Sequence, residues 1–196
     1  HELLHRWVTL PASLGLTDGA HWNPIEMPSS GFGTSPVGTF EHVGANTYKL
    51  KGGHSIEYNP LELYLMGLGS IDDISFPIRT LENPVHIDFD TFQANGVKEV
   101  SKSEFLNAVG ERNPVVGQSD FNVGMIVLSE KLLSPEELAY YQFWMVENER
   151  PVSDPSVHEY GINFQEATQG KGQLHTRIIE EESDAPVFNS SASVSI

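Results

Sequence analysis

The chain has 196 residues, a length that suits one domain, or one domain with a short appendage, and not two full ones. With 39% hydrophobic and 10% aromatic residues it can fill a core, and a net charge of −16 repels phosphate backbones and anionic headgroups, so nucleic acid and membrane surfaces are poor partners. The absence of cysteine removes disulfides, zinc ribbons, iron–sulfur clusters and thiol catalysis, and leaves His, Asp, Glu and backbone oxygens to bind any metal.

No apolar run approaches the roughly 20 residues that cross a bilayer, and no basic-then-apolar leader opens the sequence. A soluble chain, or a processed or excised piece of a longer one, is expected. His1 to about Leu10 consists of good helix formers and runs into Pro11, which predicts a first helix. From Pro11 to about Ser55 the sequence is rich in Gly, Ser and Pro without sustained periodicity, which predicts a long loop with at most short strands. Asn59-Pro60-Leu61-Glu62 then offers an N-cap, a proline at the first helical position and an acidic third residue, and Gly67 can end the element. A short, buried helix is expected there.

Strands are expected near Phe76–Thr80 and over Val85–Phe92, where Ile87, Phe89 and Thr91 alternate with His86, Asp88 and Asp90. Ser101-Lys102-Ser103-Glu104 has capping-box spacing and opens another helix. Phe121–Leu128 reads as β-rich, and Ser134-Pro135-Glu136-Glu137 starts the clearest helix, running to about Arg150. Its Leu138, Tyr141, Phe143, Trp144 and Met145 form a broad stripe expected in the core. Phe164–Thr168 looks helical and Gln173–Ile179 strand-like. Residues 180–196 carry an acidic run followed by Ala185-Pro186-Val187-Phe188, which reads as a linker into a further module.

The chemistry is concentrated in His1-Glu2-Leu3-Leu4-His5, an H-E-x-x-H motif. On a helix with 3.6 residues per turn His1 and His5 share a face, so both imidazoles can bind one Zn2+, while Glu2 is turned about 100° from His1. Glu2 would then act as general base toward a zinc-activated water and as acid toward the leaving amine. An exposed helix with two unrelated histidines is the plainer alternative.

A catalytic zinc requires a third protein ligand. The metzincin pattern would need Gly at position 8 and His at position 11, where Val8 and Pro11 stand, so that subclass is excluded. Glu62 leads the remaining candidates, on a rigid apolar helix, although it could serve only to cap that helix by bonding Asn59. His21, in Asp18-Gly19-Ala20-His21-Trp22, comes next and could equally be a turn histidine stacked on Trp22. His54 and His42 follow. Tyr64 or Tyr58, beside Glu62 in sequence, could stabilise an oxyanion, although most such tyrosines are packed. Asp72 with Asp73, or Asp88 with Asp90, could hold Ca2+, but the loop spacing of a calcium motif is missing and a solvated acidic face is the simpler expectation.

Together, His1-Glu2-Leu3-Leu4-His5-Arg6-Trp7, Asp18-Gly19-Ala20-His21-Trp22, Tyr58 to Leu68 and Phe164-Gln165-Glu166-Ala167-Thr168-Gln169-Gly170 resemble blocks of a group of large secreted bacterial proteins with zincin-like zinc-metallopeptidase domains. The acidic residue of the Pro-Leu-acidic-x-Tyr-Leu-Met-Gly block is usually Asp in that group and is Glu62 here. The same block is similar to the Gly-Thr-x-Asp-x-x-Tyr-Gly element of aspzincins, whose Asp is the third zinc ligand, with the spacing shifted by about one residue. The resemblance implies a gluzincin- or aspzincin-like hydrolase with Zn2+ as cofactor. It also implies a protein or peptide substrate, further domains of the same polypeptide as partners, and a secreted or cell-surface location.

In zincin folds the sheet that pairs with substrate precedes the H-E-x-x-H helix. The expectation is therefore an α+β fold, the C-terminal, helix-rich part of such a domain with a few short strands over residues 1–179, and an acidic linker over 180–196. Lacking the substrate strand, this piece could be inactive alone. Two rivals remain. One is a copper site built on the amino group of His1, which would require a β-sandwich that a helix-opening sequence does not suggest. The other is a non-catalytic metal-binding or adhesion and spacer module.

Overall fold

The computed structural model describes residues 10–18, 20–28, 37–52, 57–88, 90–113, 117–151 and 162–176. The first helix expected at His1 lies outside them except for Leu10, which opens a 3-10 turn, Leu10–Leu14. The acidic segment 180–196 lies outside them as well.

Nine strands and four helices follow among the described residues: β1 Ile25–Glu26, β2 Val37–Gly44, β3 Thr47–Lys51, α1 Pro60–Met66, β4 Ile78–Glu82, β5 Val85–Asp88, β6 Thr91–Gln93, β7 Gly96–Val100, α2 Lys102–Val109, β8 Asp120–Asn122, α3 Pro135–Glu149, α4 Phe164–Ala167 and β9 Gln173–His175. Seven strands form one mixed sheet in the order β5-β6-β3-β2-β1-β4-β7, with β1 and β2 parallel and the other neighbours antiparallel. β8 and β9 make a separate parallel pair. The α+β class holds. The helix-rich expectation does not, because the seven-strand sheet organises the molecule.

Three strands of that sheet, β1 to β3, come from the stretch expected to be a loop. Val37–Gly44 mixes β-branched and aromatic residues, and Asn46, at φ 57°, makes the turn that returns the chain as β3. Asparagine tolerates this left-handed conformation better than most residues. β7 was not foreseen either. It pairs with β4 from Ile78↔Val100 to Glu82↔Gly96, so its stability comes from a partner distant in sequence rather than from its own pattern. The expected strand Val85–Phe92 is two antiparallel strands, β5 and β6, and the one near Phe76–Thr80 lies slightly later, after a cis Phe76–Pro77 bond.

The main core joins β1, α1, α2 and α4, with Leu16, Ile25, Leu61, Ile78, Val100 and Phe105 almost wholly buried. A smaller cluster of Leu50, Leu81, Phe92 and Ala94 lies under the other part of the sheet. Glu26 ties β1 to both neighbours: one carboxylate oxygen accepts from the Phe40 amide at 3.0 Å and the other from Arg79 at 2.5 Å.

Two expectations fail in the C-terminal region. Of the β-rich run only Phe121 and Asn122 are strand, within β8, and Ile126 and Leu128 are 86% and 92% exposed. Among the described residues of that run, strand pairing stops at Asn122, where β9 ends. The stripe on α3 is also not core: Leu138 and Phe143 are exposed, Tyr141, Trp144 and Met145 are half-buried, and Glu147 is the helix's one buried residue. Tyr140, Tyr141, Phe143 and Trp144 pack edge-on against one another along the helix instead.

Candidate functional site

α1 carries the leading candidate. Seven residues are too few for an isolated helix to persist in water, so its ends and its packing must hold it. Asn59 accepts from the Glu62 amide at 3.0 Å while Glu62 Oε2 accepts from the Asn59 amide at 2.9 Å, a complete capping box with Pro60 at the first helical position. Gly67, at φ 92°, closes the other end in the left-handed region. Arg112 reaches over that end and donates through Nη2 to the carbonyls of Tyr64 at 2.6 Å and Leu65 at 2.9 Å, with its guanidinium 5.5 Å from the Tyr64 ring centroid. A cation at a helix C-terminus also opposes the helix dipole.

Glu62 has no solvent exposure. Its second oxygen, Oε1, accepts from the indole Nε1 of Trp22 at 2.8 Å. Trp22, itself 3% exposed, comes from a tight loop built by its own backbone and by Asp18. Thr17 bridges Trp22, the Asp18 amide bonds the His21 carbonyl at 3.0 Å, and Asp18 Oδ1 accepts from the amides of Ala20 and His21 at 2.8 and 2.7 Å. Those amides hold the Asp18 carboxyl below its ordinary value. The loop thus delivers Trp22 to Glu62, while His21, its neighbour, is half-exposed.

The other candidates are dispersed. Tyr64 lies two residues beyond Glu62, about 200° around the helix, so it faces away from the carboxylate. Its hydroxyl donates to the Gly110 carbonyl at 3.4 Å and its ring packs on Phe105. Tyr58 is the phenol on the Glu62 side: burial first, then the Glu62 charge, pushes it up to about 12. His42 is exposed on β2, with its ring 5.0 Å from that of Tyr48. Asp72 pairs with Lys102 at 2.7 Å, Asp73 with Lys171 at 3.6 Å and Asp90 with Lys49 at 3.2 Å, the behaviour of a solvated acidic surface.

His1, Glu2, His5 and His54 lie outside the described residues. Among the described residues no three His, Asp or Glu side chains cluster closely enough to hold a metal. Glu62 suits the part of a ligand in its placement: a buried carboxylate on a short helix clamped at both ends, with one oxygen held by the Asn59 amide and the other by the Trp22 indole. Two imidazoles and a carboxylate are also a donor set that zinc accepts.

In the sequence Trp22 is expected to stack on His21, and nothing marks Arg112 as part of the site. The available signal was chemical: a buried indole N–H requires an acceptor, and a short helix requires something to satisfy its last carbonyls. Comparison of the chain with protein-family models, with curated proteins and with solved structures finds no match. Among the described residues, no helix is long and apolar enough to cross a membrane.

Proposed function

We propose that the chain is a zinc-dependent metallopeptidase domain of a secreted or cell-surface protein, with His1, His5 and Glu62 as zinc ligands and Glu2 as general base. His21 is the alternative third ligand. The observation that carries this reading is the burial of Glu62. A fully buried carboxylate fixed at both oxygens by donors from two elements is held rigidly, as a metal ligand must be, and a capping box alone does not require such burial. The loop that follows the H-E-x-x-H segment is the one that places Trp22 on this carboxylate.

Zinc, when bound, would supply Lewis acidity toward a water and toward the scissile carbonyl. His1 and His5, one turn apart on the helix that the sequence predicts, and Glu62, on a helix clamped at both ends, would hold it. Glu2 takes the proton of the attacking water and later returns one to the departing amine nitrogen. Tyr64, turned away and bonded to Gly110, is left out of this scheme.

The test is metal analysis of the purified full chain, followed by digestion of a casein-type substrate. One zinc per chain and proteolysis abolished by Glu2→Gln, with zinc retained, are expected. Absence of zinc overturns the reading. Zinc without proteolysis leaves the non-catalytic metal-binding module, and proteolysis that survives Glu2→Gln removes Glu2 from its role.

A further inference from the structure

Among the described residues Glu62 is one of four acidic side chains that close a capping box, the others being Asp73, Glu104 and Glu137. Glu104 is exposed, and the side chains of Asp73 and Glu137 are 47% and 43% exposed. Those three do what a cap needs at the surface. Glu62 closes the same box through Oε2 with no exposure, and its other oxygen is held by a donor forty residues away in sequence.

The bond from Trp22 adds nothing to the cap, which is complete without it. It fixes something else. A carboxylate held at one oxygen can still rotate about its terminal torsion, a broad and soft degree of freedom. Held at both oxygens by donors from two different elements, the α1 N-terminus and the Asp18–Asn23 loop, its plane is set. The indole is itself braced through its loop, by Asp18, by the Thr17 bridge and by Asn23, whose amide donates to the Leu16 carbonyl and whose side chain donates to the Gly15 carbonyl.

We propose that Trp22 is a positioning residue for Glu62, setting the carboxylate plane in the orientation from which it ligates the metal. This rests on the reading of Glu62 as a zinc ligand. Groups that orient a ligand from behind typically change metal affinity about 10–100-fold when removed.

The experiment titrates the metal-free full chain with Zn2+ against a chromophoric chelator and records the visible spectrum of the Co2+-loaded chain. For Trp22→Phe, zinc binding weakened about 10–100-fold is expected, together with shifted cobalt bands, in a protein that still unfolds cooperatively without metal. A merely structural tryptophan would lower the melting temperature and leave the cobalt bands unchanged. Equal zinc affinity and an unchanged spectrum overturn the proposal while the metal reading stands. A wild-type chain that binds neither ion overturns both. Should Trp22→Phe fail to fold, benzothienylalanine at position 22 keeps the ring shape and replaces the N–H with sulfur, and the same outcomes decide.

Discussion

α1 and α3 begin alike and end in opposite surroundings. Each has a polar N-cap, a proline in the first turn and a reciprocal box to a glutamate three residues on. Yet residues 61–66 of α1 are all buried, whereas α3, with fifteen residues, buries only Glu147 and exposes Leu138, Tyr140 and Phe143. Capping therefore determines where a helix starts and says nothing about what covers it. α1 is enclosed by core residues from the sheet, α2 and α4, whereas α3 packs against α4 and β9.

The contrast should break first at leucine. Leu63→Ala, at a position 1% exposed, should cost about 2–5 kcal/mol in denaturant unfolding. Leu138→Ala, at 54% exposure, should stay within about 0.5 kcal/mol. Equal losses would mean that α3 is covered in solution. At the other end of α1, Arg112→Ala removes a charged donor from two carbonyls and should cost about 1.5–3 kcal/mol. A loss near zero would show that the carbonyls find other donors and that α1 does not depend on this clamp.

The two boxes can be compared directly. Glu62→Gln leaves one acceptor oxygen for two donors, so either the Asn59 amide or the Trp22 indole meets an NH2 group, at a cost of about 1–3 kcal/mol. Glu137→Gln keeps its box, because glutamine serves as well at that position, and should change stability by less than about 0.5 kcal/mol. Matching values would reduce Glu62 to an ordinary cap.

How far the sequence could be read follows from the range of the forces involved. α1, α2 and the start of α3 were legible because a capping box spans four residues. β1 to β3 were not, since their pairing depends on residues far apart, and the Gly- and Ser-rich composition hid them. The burial of α3 was misjudged because periodicity shows that a face is apolar and not that something packs on it. At the site, Glu62 was legible from its cap and apolar neighbours. Its bond to Trp22 was not, because the loop that brings the indole there is set by Asp18 and by backbone contacts that carry no sequence period.

The last contrast is in pH, and it separates the two helices by sign. Tyr58, which precedes the α1 cap, has its phenol raised from an ordinary value of 10.0 to about 12. The folded state therefore holds the proton more tightly than the unfolded one. The resulting stability is complete below about pH 10 and is lost as pH rises toward 12. Glu136, in the first turn of α3, is shifted the other way, by its own backbone amide and by Ser134, so its contribution is present above the ordinary carboxylate range and is lost as pH falls below it. Ultraviolet titration of the six tyrosines should show one phenolate forming last, absent in Tyr58→Phe, together with a loss of thermal stability over the same alkaline window. If Tyr58 ionised with the others, its phenol, 4% exposed here, would be open to water in solution, and the α1 N-terminus would lack the apolar cover that α3 also lacks.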